Sequence, residues 1–208
     1  MDQKIIVTIA RQYGSGGRAI GKQLAQDLNI PFYDKDLIQL AAKESGIEEN
    51  LFARADESPS NSFWDTFASN ANLFGNKPLT INDMPMNDKL FVIQANIIKD
   101  IAEKGSCVIV GRCADYILRD VKGTTHLFIH SDEKDKLNRI INSYGVSEKD
   151  ARDVMLKTDR QRSAYYNYYA DNKWGRAENY DLSIKTSALG ITGTVRLIKD
   201  YLAIRYGV

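Results

Sequence analysis

Cysteine is scarce in this chain: Cys107 and Cys113 are the only two among 208 residues. A disulfide scaffold is excluded, and without C-x-x-C spacing neither zinc nor dithiol redox chemistry has a framework; both thiols are expected to be reduced. Charge of one sign is lacking too. Lys+Arg 28 against Asp+Glu 27 leaves a formal net charge of +1, not the broad positive field that non-specific nucleic-acid binding requires, so no nucleic-acid partner is expected. Long hydrophobic runs are absent. Ile5 to Ile9 and Cys107 to Val110 fall far short of the ~18 apolar residues of a membrane span, and Met1-Asp2-Gln3 opens no signal peptide. The reading is cytoplasmic, with no membrane partner. Histidine is limited to His126 and His130. Four apart in one expected strand, they share a face and read as structural rather than catalytic or metal-bound.

What is present, 43% hydrophobic and 26% charged residues, is the balance of one globular domain spanning 1–208. Lys4 to Ala10 is β-branched and almost unbroken in apolar character, the pattern of a strand buried on both faces of a parallel sheet. Residues 31–34, 107–110, 125–130 and 180–186 supply four further strand patterns. Helical spacing is read after Gly17, from Leu37 to about Gly46, and over 90–102, 132–143, 147–169 and 191–204. Strand and helix alternate, so the fold class is α/β with a five-stranded parallel sheet flanked by helices. Between about Arg54 and Asn87 the composition shifts, with Pro59, Pro78 and Pro85 among dense Ser and Asn, and this stretch reads as an insertion.

The turn after the first strand is Arg11-Gln12-Tyr13-Gly14-Ser15-Gly16-Gly17-Arg18. Glycines between a buried strand and a helix start let backbone N–H groups converge on an anion, and the helix dipole adds partial positive charge. Two anion motifs fit in part. Gly14, Gly16 and Ala19 match the dinucleotide fingerprint, with Asp34 twenty residues after Gly14 for a ribose. That fold wants its first glycine directly after the strand, however, and here three residues intervene; the longer loop favours a P-loop. In G-x-x-x-x-G-K-[ST] the last glycine aligns with Gly16, which puts Gly17 at the lysine and Arg18 at the hydroxyl position. Arg18 is expected to replace the lysine, since a guanidinium binds phosphate bidentately, with Lys22 one turn further on the same face. Arg11 stands where the motif's first glycine is usual and can supply a cation to the site. Asp34 and Asp36, after the second strand, either bind Mg²⁺ through water and orient acceptor hydroxyls, or cap the next helix.

Five stretches taken in order, IARQYGSGGRAIGKQLA (9–25), FYDKDL (32–37), VGR (110–112), DRQRS (159–163) and YDLSIKTS (180–187), resemble the cytidylate kinase-like proteins, relatives of the P-loop nucleoside monophosphate kinases. The resemblance implies a three-layer P-loop fold with core 1–53, 88–146 and 178–208, an acceptor-binding insertion at 54–87 and a helical lid at about 147–177. It implies ATP and Mg²⁺ as cofactors, and a nucleoside monophosphate such as CMP or dCMP as acceptor. Backbone from Gly14 through Ser15 and Gly16 to Gly17, with Arg18, would hold the donor phosphates, and Arg112 would grip the acceptor phosphate. Asp159, Arg160 and Arg162 would form the lid cluster, the arginines on the transferring phosphoryl group and the aspartate on the acceptor ribose. Thr186 and Ser187 would pass the adenine. Authentic cytidylate kinases carry a base-reading aspartate after that arginine, where this chain has Cys113. A nucleotide-binding protein without kinase activity, or a kinase of another small metabolite, are the alternative readings. The tyrosines at 165, 166, 168 and 169, with Trp174, are read as packing more than as a base stack.

Overall fold

The computed structural model describes residues 4–38 and 85–207. Its centre is a five-stranded sheet built from β1 (Ile6–Arg11), β2 (Phe32–Tyr33), β3 (Cys107–Val110), β4 (Thr124–His130) and β5 (Leu182–Lys185). The order across the sheet is β2-β3-β1-β4-β5, and every pair is parallel, with Ile6 opposite both Cys107 and Thr124. Because β1 is central, both its faces are covered: Ile6, Val7 and Ile9 are wholly buried. That is why its sequence runs apolar without alternation.

Six helices that lie wholly within the described residues flank the sheet: α1 (Gly17–Asp27), α2 (Met86–Lys104), α3 (Ala114–Ile117), α4 (Glu133–Tyr144), α5 (Glu148–Tyr169) and α6 (Thr186–Tyr206). Val7, Ile9, Val108, Val110, Leu127 and Ile129 face α1 and α6, through Ile20, Leu24, Val195, Ile198 and Leu202. Ile6, Cys107 and Ile109 face the other layer, through Ile98, Ala102, Leu118, Tyr166 and Ala170. Each such aliphatic side chain contributes about 1.5–3 kcal/mol on burial, so the two clusters carry most of the fold's stability. Both cysteines lie in the second cluster, where burial pushes the Cys107 thiol up to about 11 and the Cys113 thiol well above its ordinary value.

Several boundaries move. The helix read from Leu90 starts at Met86, with Pro85 at its N-cap, so the last two residues of the expected 54–87 insertion belong to it. Of the expected insertion, 54–84 lie outside the described residues, as does the helix expected from Leu37 to Gly46 beyond residue 38; residues 35–38 are helical. The closing helix begins at Thr186 rather than Ile191, with a kink at Gly190 whose φ of 66° and ψ of −177° interrupt it. Ser147 caps α5 by accepting the Asp150 N–H, as its position before an acidic first turn suggests. Among the described residues no helix is long and apolar enough to cross a membrane.

Candidate active site

The loop after β1 is fixed from every side. Gly14 takes a φ of 76°, a region that side-chain-bearing residues rarely enter, and a Cβ there would lie 2.8 Å from the Lys136 carbonyl oxygen. The Gly14 carbonyl accepts from the Arg139 guanidinium, and the Tyr13 N–H donates to Asp159 Oδ1 at 2.6 Å. The Gln12 side-chain oxygen accepts from Lys136 Nζ at 3.2 Å and the Ser131 N–H at 3.4 Å. The buried Thr186 hydroxyl is shared between the carbonyls of Ser15, at 2.9 Å, and His130, at 3.2 Å. Ser15 turns its own hydroxyl back to the Gln12 carbonyl, 2.8 Å away. The result is an ordered turn entering the N-terminus of α1, the geometry in which main-chain amides and helix dipole hold an anion.

Beside it, at the C-terminal ends of β1 and β3, lies a pocket lined by Arg11, Lys35, Arg112, Asp115, Arg162 and Tyr165, with Cys113, Tyr166 and Trp174 at its walls. Four cationic side chains and one buried carboxyl, Asp115, line it. Gly111, Arg112 and Cys113 all have positive φ, at 83°, 56° and 54°, a left-handed run closed by the Ala114 N–H on the Gly111 carbonyl at 3.1 Å. For Arg112 and Cys113 this is costly backbone, the kind that concentrates at working sites. The run turns Arg112 away from the strand and over the Tyr165 ring, 5.7 Å from its centroid. The Tyr166 hydroxyl donates to Asp115 Oδ2 at 2.7 Å, and burial pushes the Asp115 carboxyl up to about 6.

The expected site residues separate into groups. Gly14, Ser15, Gly16 and Gly17 form the loop, and Arg11 and Arg162 meet Arg112 in the pocket. Arg162 also donates to the Arg11 carbonyl at 3.2 Å and lies over the Tyr13 ring at 5.5 Å. Asp159 holds the loop through Tyr13, near Lys136 Nζ at 4.0 Å; burial raises its carboxyl, opposed by that N–H, Arg162, Lys136 and Arg11. Arg18 is engaged elsewhere: its Nε and Nη2 lie 2.8 and 2.7 Å from Asp34 Oδ2. Asp34 Oδ1 accepts the N–H groups of Asp36 and Leu37, so the helix-capping alternative describes its local role. Asp36 and Arg160 are exposed, and so are Ala19 and Lys22, the latter on a shallow groove with Pro31 and Phe32. Ser187 accepts the Asp132 N–H at 2.7 Å.

Sequence reasoning missed Gln12, Lys136 and Arg139, whose roles depend on α4 folding over the loop, a contact no local pattern announces. It missed Lys35 and Asp115 as well, although both stand within or just beyond stretches singled out as motifs. His126 Nδ1 lies 2.8 Å from Thr8 Oγ1, a bond between neighbouring strands that fits its structural reading. The tyrosines pack: Tyr169 stacks on Phe91 with centroids 4.0 Å apart, and Tyr166 is buried.

A parallel sheet in the order 2-3-1-4-5, with a glycine-rich turn between its central strand and α1, is the fold of P-loop kinases. Residues 6–188 match the cytidylate kinase-like family, and the chain belongs to it. An uncharacterized protein from Eubacterium ventriosum has a crystal structure that superposes with a TM-score of 0.73 at 31% identity, covering 96% of this chain and 98% of that one. Shikimate kinase from Bacteroides thetaiotaomicron shares the fold with a TM-score of 0.52 at 13% identity, over 95% of this chain and 98% of that chain. A uronate isomerase from Corynebacterium glutamicum is 27% identical over 125 residues, which are 60% of this chain. The match spans about a quarter (24%) of that relative's length.

Proposed function

We propose that the chain is an ATP- and Mg²⁺-dependent phosphotransferase whose acceptor is a nucleoside monophosphate of the CMP or dCMP kind. The observation that carries this reading is the pocket where Arg11, Lys35, Arg112 and Arg162 meet beside the anion loop. A neutral acceptor would not need so many cations; an acceptor phosphate monoester meeting the donor's γ-phosphate matches them, and Tyr165 and Trp174 offer flat apolar surface for a ring. The loop amides take the donor phosphates, Arg112 the acceptor phosphate, and Arg160 and Arg162 on α5 the charge that spreads over the transferring group. Residues 147–177 act as the lid that excludes water, Asp36 faces the acceptor sugar, Asp159, bonded to the Tyr13 N–H, lies on the donor side instead of on that sugar, and Thr186 and Ser187 border the adenine.

Mg²⁺ fits this site as an ion carried by the nucleotide. Among the described residues no group of three or more His, Cys, Asp or Glu side chains could hold a metal. Mg²⁺ keeps most of its waters and commonly needs only phosphates with one or two carboxylates. Asp159 is the carboxylate nearest the loop, and bound Mg²⁺ would supply charge neutralisation between donor phosphates. The buried Cys113, in place of a base-reading aspartate, favours as second reading an acceptor with a ring other than cytosine. ADP release measured with ATP, Mg²⁺ and CMP, dCMP, UMP, AMP, GMP or unphosphorylated hydroxyl acceptors tests both. Arg112→Ala is expected to raise the acceptor KM by about tenfold or more while the ATP KM moves less than about threefold. Equal changes would contradict this division of the site.

A further inference from the structure

The chain departs from the P-loop motif at three positions, with Arg18 where the hydroxyl is usual; the other two are Arg11 at the first-glycine position and Gly17 at the lysine position. They stand six positions apart in sequence, yet in the fold they touch. A Cβ on Gly17 would lie 2.6 Å from Arg11 Cβ and 3.0 Å from its Cγ, with Ile129 Cβ the next atom at 3.4 Å. No side chain enters position 17 while position 11 carries one. Conversely, a glycine at position 11 would empty the space that a lysine stem at 17 needs, and Gly17 has no positive φ that would resist one. The departures at positions 11 and 17 are one steric event.

The Arg11 side chain then runs from Gly17 across to β3, where a Cβ on Gly111 would collide with its Nη1 and come within 3.0 Å of its Cζ. Its stem therefore touches the start of α1 and its guanidinium lies at the end of β3 in the lining of the Arg112 pocket, so the side chain spans the stretch between loop and pocket. A phosphoryl group passing from a donor on the loop to an acceptor in the pocket crosses that stretch. Arg18, the other candidate for the missing cation, has its Nε and Nη2 on Asp34 Oδ2.

We propose that Arg11 replaces the P-loop lysine: its charge reaches the γ-phosphate from the end of β1 instead of from the start of α1, and Gly17 is the vacancy its stem requires. This rests on the phosphotransferase reading above. As the acceptor oxygen forms its bond to phosphorus, the bond to the β–γ bridging oxygen breaks and its electron pair leaves with ADP. Arg11 moves no proton; it offsets charge on the group in transit, and on the bound γ-phosphate beforehand.

The test is an exchange of the two side chains in the full chain, read by calorimetry with Mg²⁺ and either ADP or a non-hydrolysable ATP analogue, by thermal unfolding and by turnover. Arg11→Gly is expected to weaken the ATP analogue by about tenfold or more while ADP changes less than about threefold. Gly17→Lys alone is expected to lower the Tm, and Arg11→Gly/Gly17→Lys to recover both Tm and analogue affinity. Where the wild type turns over an acceptor, kcat is expected to fall about 100-fold in Arg11→Gly and to return in the double variant. Unchanged analogue affinity in Arg11→Gly, or a double variant of normal Tm that regains none of it, would overturn the proposal. A wild type that prefers the ATP analogue through Arg11 yet phosphorylates no acceptor would sink the kinase reading and leave this one standing. A wild type that binds neither nucleotide would sink both.

Discussion

On the loop side of the site the fixed atoms belong to the main chain. The carbonyls of Gly14 and Ser15 and the N–H of Tyr13 are each tied to a side chain from another element, and the anion would be met by amides that carry no sequence identity. In the neighbouring pocket the reverse holds: Arg112, Arg162, Asp115 and Tyr166 present side chains from the end of β3, α3 and α5. A donor common to many kinases needs only a phosphate-shaped backbone, whereas one acceptor among many must be told apart by charge, ring and hydrogen bond. Under the proposed division of the site, the rigid half would be generic and the side-chain half would set selectivity.

The loop is most vulnerable at Gly14. Gly14→Ala combines positive φ with overlap onto the Lys136 carbonyl, so it is expected to cost about 2–4 kcal/mol in urea unfolding and to abolish ATP binding whatever the acceptor. Retained ATP affinity would mean that the loop is not the donor site. Asp115→Asn probes the other half. The folded state holds the Asp115 proton more tightly than the unfolded chain does, so its contribution is full below about pH 4 and is lost as pH rises through about 6. Wild-type stability is expected to fall by up to about 3 kcal/mol across that interval, and the slope to flatten in Asp115→Asn. An identical slope in both proteins would mean that some other group carries it. The smallest effect belongs to Arg18→Ala: its side chain is 64% exposed, so denaturation midpoints should report a loss of no more than about 1 kcal/mol. A large loss of ATP affinity in that variant would make Arg18, and not Arg11, the substitute for the P-loop lysine.

Much of the layout was legible in the sequence because parallel strands buried on both faces advertise themselves. Cys107 to Val110 reads as a strand and is one, and Lys4 to Ala10 marks the sheet's centre. The glycine loop was legible for a similar reason, since positive φ at Gly14 and Gly16 demands that residue type. Side-chain allegiance was not. Arg18 stands one position from the motif's lysine, yet pairs with Asp34 because β2 ends beside α1, a tertiary fact that lies outside any local window. Lys136 has the sequence context of a solvated helix face and is buried, since α4 lies across the loop. The start of α6 falls five residues before the expected one, as Gly190 looks like a terminus and is a kink.

The central place of β1 also bears on how the chain is made. Ile6 pairs with Cys107 and with Thr124, so the strand at the heart of the sheet is made about a hundred residues before the first of its neighbours exists. During that interval an apolar segment with two open edges has nothing of its own to pair with, the condition in which nascent chains aggregate or recruit chaperones. Closure of the sheet waits for β3 and β4, and that long-range step is expected to set the folding rate.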